Sequence, residues 1–148
     1  VAEVLFYHLT DSTLESALPG LLEKSLERGW RAVVQTGSEE RRDALDSHLW
    51  VWSEESFLAH ATDREAMLDH QPIVLTCSDT NPNGAAIRFF CDGAEPCALD
   101  GYARAVILFD GHDAVQIEAA RAHWKVLKGA GHAVTYWQQT GGRWEKKA

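Results

Sequence analysis

Cysteine and proline are scarce in this chain, cationic residues are outnumbered, and no apolar run is long. Three cysteines, Cys77, Cys91 and Cys97, cannot all pair within one chain, which fits a reducing compartment better than a disulfide-stapled secreted scaffold and predicts buried or ordinary thiols. With 4 Pro and 11 Gly, the composition excludes a disordered or repetitive polymer. No stretch reaches the roughly 20 consecutive apolar residues needed to cross a bilayer. Nor does a basic region precede an apolar run and a small-residue cleavage site, so no membrane contact and a cytoplasmic location are expected. The 14 Lys plus Arg against 22 Asp plus Glu leave a net charge of -8, which weighs against non-specific binding to duplex nucleic acid.

What is present is enough apolar material, 45% of 148 residues, for one core, and a single domain over residues 1–148 is expected. The charge is not evenly spread. Residues 1–100 carry 7 Lys plus Arg against 18 Asp plus Glu, whereas residues 101–148 carry 7 against 4. The two parts face different partners.

Hydrophobic patterning predicts alternating strands and helices. Glu3 to Leu9 reads as a strand, Leu14, Leu18, Leu21, Leu22 and Leu26 as one face of a helix ending at Gly29, and Arg31 to Thr36 as a second strand. Pro19 counts against this helix or splits off its first turn. A second helix runs from Gly37 through Leu49, and a short helical turn is expected between Thr62 and Leu68. Pro72–Thr76 and Ala86–Cys91 read as two strands of a hairpin-like middle, with the turn residues Asp79–Gly84 between them. Ala103–Phe109 is a strand, Ala114–Lys128 a helix, Ala133–Trp137 a last strand, and residues 141–147 a frayed end. This alternation predicts an α/β fold, a Rossmann-like open sheet, mixed but mostly parallel, with helices on both faces. The antiparallel member is expected in the middle.

That fold class invites a search for nucleotide or acyl-transfer chemistry. Leu9–Thr13 fills the place of a glycine-rich phosphate loop, and Gly129–Gly131 follows a helix, where the dipole disfavours an anion. Ser12 and Ser38 sit at helix-cap positions rather than on a nucleophile elbow. The seven histidines show no paired metal-ligand spacing, and no cofactor or metal is expected. The enzyme reading rests on a cleft near Asp110, beside Gly111-His112-Asp113, and Cys77 at a strand end; Asp113 also reads as a helix cap.

The last helix is more specific. Ile117, Ala120, Trp124 and Leu127 recur at three and four, while Arg121, Lys125 and Lys128 form an adjacent cationic row. Such a row on an otherwise acidic protein, beside a large aromatic, suits a short peptide bearing carboxylates and an apolar anchor. A second candidate surface is Trp50, Trp52, Phe57 and Leu58, whose bulk in a non-periodic segment fits either a minor core or a protein interface. Direct single-stranded DNA binding would instead require Trp124 and Trp137 in one exposed stacking row.

Several of these landmarks occur together in one family. Phe6-Tyr7-His8-Leu9, Leu49-Trp50 followed by Ser56–His60, Pro72–Thr76 followed by Asn81–Gly84, and Arg121–Lys125 with Gly131 and Tyr136-Trp137 give the chain a pattern that resembles the chi subunits of bacterial DNA polymerase III. The resemblance implies a Rossmann-like fold that binds no nucleotide. It also implies a non-catalytic clamp-loader adaptor that grips the acidic, phenylalanine-ending tail of single-stranded-DNA-binding protein and meets DNA only indirectly. Tail-binding residues of that family match Arg121 and Lys125 beside Trp124, to which helical spacing adds Lys128. The surface for the psi subunit or another clamp-loader subunit corresponds to Trp50 and Phe57, with Trp52 and Leu58 alongside; Ala59 stands where members carry proline.

Overall fold

The computed structural model describes residues 2–51, 58–65, 67–141 and 143–148. Among them, β1 (Glu3–Leu9), α1 (Leu14–Glu27), β2 (Ala32–Gln35), α2 (Glu39–Val51), β3 (Ala61–Thr62), β4 (Ile73–Thr76), β5 (Ile87–Phe90), β6 (Arg104–Asp110), α3 (Ala114–Gly129), β7 (Ala133–Thr140) and β8 (Arg143–Lys146) follow in chain order. All strands join an 8-stranded sheet of order β3-β4-β2-β5-β6-β1-β7-β8. Every neighbouring pair is parallel except β7 with β8. The open, mixed, mostly parallel α/β architecture is therefore as expected, but its antiparallel member is not in the middle. Both β4 and β5 pair with β2, in parallel, so they never meet as a hairpin.

Strand alternation divides the core between the two faces. Leu5 and Leu9 of β1, Val34 of β2, Phe89 of β5 and Leu108 of β6 pack under Leu14, Leu18 and Leu22 of α1 and Leu45 and Leu49 of α2. The intervening residues Val4, Phe6, Val33, Phe90 and Ile107 face the other way, toward Ala120 and Leu127 of α3. Because parallel strands are buried on both faces, their sequences read as near-continuous apolar runs. The middle strands looked like a hairpin for that reason.

Three further expectations change. The first helix is capped by Thr13, which accepts from the Ser16 amide, and not by Ser12, whose hydroxyl is held by Gln139. The region of the expected helical turn forms the two-residue β3 and a short 3-10 turn at Leu68–His70. The expected frayed end is β8, in which Trp144 lies opposite Gln139 and Lys146 opposite Trp137.

Only α3 covers the second face among the described helices, over β6, β1 and β7. The rest is covered by irregular crossovers at 77–86 and 91–103, and Arg88 ties both to the sheet. Arg88 is 0% exposed. Its guanidinium donates to the carbonyls of Ser78 (2.6 Å) and Thr80 (2.7 Å), to the Tyr102 hydroxyl (3.0 Å) and to Oε1 of buried Gln35. Gln35 in turn donates to the Glu95 carbonyl. No described carboxylate pairs with Arg88, so oriented dipoles and the rings of Phe90 and Tyr102, 5.5 and 5.8 Å away, accommodate its charge.

Candidate functional site

Three adjacent strands and one helix build an apolar cavity of about 350 Å³. Phe6 and His8 from β1, Phe109 from β6 and Tyr136 from β7 share the second face of the sheet; Ile117, Ala120, Arg121, Trp124 and Lys125 close over them from α3. The helix starts where it does because the Asp113 carboxylate accepts from the amides of Val115 and Gln116. The resulting register aims the Arg121, Trp124 and Lys125 side of α3 at the groove.

The lining is an aromatic box. Trp124 meets Phe6 and Tyr136 edge-to-face at centroid distances of 5.4 and 6.2 Å, and His8 stacks on Phe109 at 4.8 Å. His8 Nδ1 and the Tyr136 hydroxyl share a short hydrogen bond, while His8 Nε2 is buried without a partner in the described structure. Burial pushes Tyr136 above its ordinary value, against the opposing pull of Arg121. Burial, followed by the neighbouring His112, holds His8 below its ordinary value, so the walls are uncharged at neutral pH. Positive charge belongs to the rim, on Arg121 and Lys125. At this size the cavity falls in the range of small-ligand pockets, roughly 300–1,000 Å³.

Three of the four helix residues singled out from sequence, Arg121, Trp124 and Lys125, thus line one cavity. Lys128 does not line it; its ammonium lies over the Trp124 ring, 5.8 Å from the centroid. At the second surface, Trp50 is 52% exposed at the end of α2 and tilts against His60, whereas Leu58 is 2% exposed. Leu58 packs in the core with Leu45 and Leu49, beneath any surface that Trp50 presents. Trp52 and Phe57 lie outside the described residues. The lining residues Phe6, His8, Phe109 and Tyr136 were not foreseen, since nothing in the sequence states that β6, β1 and β7 are neighbours.

The catalytic reading fares differently. Asp110 lines a cavity of about 400 Å³ at the carboxyl ends of the strands, but Cys77 does not. β2 and β5 separate β4 from β6, about 14 Å at ordinary strand spacing. The amides of Thr10, Asp11 and Ser12, which follow β1 where a phosphate would be cradled, all donate to Gln139 Oε1 at 3.0–3.1 Å. Glu15, Asp92 and Asp110 add carboxylates around that crevice. Among the described residues, no group of three or more His, Cys, Asp or Glu could hold a metal ion. Trp124 and Trp137 belong to opposite faces of the sheet and form no common stacking row. No described helix is long and apolar enough to cross a membrane.

The sequence profile of the DNA polymerase III chi subunit, HolC, matches residues 1–135. A probable DNA polymerase III subunit chi from Rickettsia prowazekii (strain Madrid E) is 27% identical over 81 residues, 55% of this chain and 49% of that protein. The aligned stretch thus spans about half the length of this curated relative.

Proposed function

The chain belongs to the DNA polymerase III chi-subunit family, and from that premise we propose that it is a non-catalytic, cytoplasmic replisome adaptor, a single domain that joins the clamp-loader complex to the acidic C-terminal tail of single-stranded-DNA-binding protein. The observation that carries this reading is an uncharged aromatic cavity with two cations on its rim, in a protein whose net charge is -8. A terminal phenyl ring enters between Phe6, Trp124 and Tyr136, and the tail carboxylates pair with Arg121 and Lys125. Lys128 extends the cationic row away from the cavity and covers the Trp124 ring. The end of α2, where Trp50 and Val51 are exposed, takes the psi subunit or another clamp-loader subunit.

Exposed charges on the rim make the attraction sensitive to salt. Calorimetric titration with a tail peptide checks the assignment. Reversing both charges, Arg121→Glu with Lys125→Glu, is expected to weaken binding at low salt by about tenfold or more, corresponding to at least about 1.4 kcal/mol. Equal affinity of the variant and the parent protein would overturn the assignment.

A further inference from the structure

A second groove lies on the opposite face of the sheet, between α1 and the β7–β8 hairpin. It encloses about 230 Å³ and is lined in part by Tyr7, Trp30, Trp137 and Trp144 with Lys24 and Arg28. Three of the chain's 6 tryptophans are here. Trp144 stacks on Tyr7 with centroids 4.5 Å apart and planes 19° from parallel, and Trp137 meets the same tyrosine edge-on at 6.4 Å. The Trp30 ring has the guanidinium of Arg28 at 5.1 Å and that of Arg104 at 5.3 Å.

The charge here is positive on balance. Arg104 is neutralised by Glu3 at 2.8 Å, but among the described residues Lys24, Arg28 and Lys146 have no carboxylate within ion-pair distance. Lys146 belongs to the same face, because it sits directly opposite Trp137 across the β7–β8 pair. Lys24 and Arg28 are one helical turn apart on α1. Partly exposed indole rings bordered by unpaired cations suit a ligand that combines flat rings with regularly spaced negative charge. Unpaired nucleotides have both.

We propose that this groove binds single-stranded nucleic acid, with a base stacked against the Trp144 and Trp30 cluster and phosphates paired with Lys24, Arg28 and Lys146. A duplex keeps its bases stacked inside and offers only its phosphates. The site is separate from the α3 cavity and does not depend on the adaptor reading.

The test uses the full chain and a labelled oligothymidylate of about 15 nucleotides, long enough to cover a site of the usual size. Binding quenches tryptophan fluorescence. If the three free cations each neutralise one phosphate, affinity falls about twentyfold between roughly 50 and 200 mM salt, and only about threefold once Lys24 and Arg28 are removed. Lys24→Glu with Arg28→Glu is expected to bind at least about tenfold more weakly at low salt, whereas Arg121→Glu with Lys125→Glu keeps the parent affinity. Both groove residues are exposed, so thermal melts should match the parent; Lys24→Gln with Arg28→Gln replaces the reversal if they do not. The proposal is overturned if the parent chain does not bind the oligonucleotide at low salt, if the groove variant retains full affinity, or if only the α3 variant loses it. It is equally overturned if the groove variant loses an acidic tail peptide but not the oligonucleotide.

Discussion

His8 is held between opposing influences. Its ring stacks on Phe109, its Nδ1 is tied to Tyr136, and its Nε2 is pressed so close to Gly111 that a methyl group there would come within 2.5 Å of the nitrogen. The fold accepts the neutral ring, and His112 opposes a second positive charge more than Asp110 favours one. In the unfolded chain the ring takes a proton near the ordinary value of 6.5, whereas in the folded protein it does so at lower pH. Between those two values the unfolded state binds more protons, so stability contributed by neutral His8 is complete above pH 6.5 and is lost as the pH falls through the folded value. His8→Leu removes that linkage. Thermal melts at about pH 7.5 and 5.5 should show a smaller loss of Tm on acidification in the variant than in the parent chain; equal losses would show that His8 carries none of the acid sensitivity.

At the scale of elements, α1 tolerates a proline because another helix repairs it. Pro19 has no amide to donate to the Glu15 carbonyl one turn earlier, a defect that in a helix interior costs about 3 kcal/mol or more. His48 of α2 donates its Nε2 proton to that carbonyl at 2.7 Å, so the gap left by one helix becomes a link between two. Replacing His48 by alanine should destabilise the chain by about 1 kcal/mol in denaturant unfolding. In a Pro19→Ala background, where the helix can form its own bond, the same replacement should cost about half as much or less. Identical costs in both backgrounds would separate the two residues. The sequence placed α1, α2 and α3 well because their apolar periods are local. It misplaced what depends on distant pairing: Ile73–Thr76 and Ile87–Phe90 are compatible with a hairpin or with two parallel neighbours of β2, and only the crossovers tied down by Arg88 decide between them. The site shows the same division. Arg121, Trp124 and Lys125 were legible from the spacing of one helix, whereas Phe6, Phe109 and Tyr136 become neighbours only when β1 lies between β6 and β7.

At the scale of the molecule, the proposed adaptor role requires two partners to be held without one displacing the other. The α3 cavity is built over β6, β1 and β7, whereas α2 packs near the opposite edge, against β3 and β4. Between β4 and β7 lie β2, β5, β6 and β1, a separation of about 24 Å at ordinary strand spacing. Over that distance exposed charges are screened, since it exceeds the Debye length of about 8 Å at physiological salt. The strands between them, β2, β5, β6 and β1, carry buried apolar side chains on both faces, a close-packed layer that resists reshaping. Binding at the two surfaces should therefore be additive. Trp50→Asp is expected to leave tail-peptide affinity within about twofold of the parent chain, because substitutions this far apart usually add to within about 0.5 kcal/mol. The reversed Arg121 and Lys125 pair should in turn leave capture of a clamp-loader partner intact. Calorimetry of the tail peptide with Trp50→Asp, followed by the same titration on the partner-bound complex, measures the coupling directly. A shift well beyond twofold in either titration would mean that the sheet transmits one binding event to the other face, and that the two surfaces act as a switch instead of independent grips.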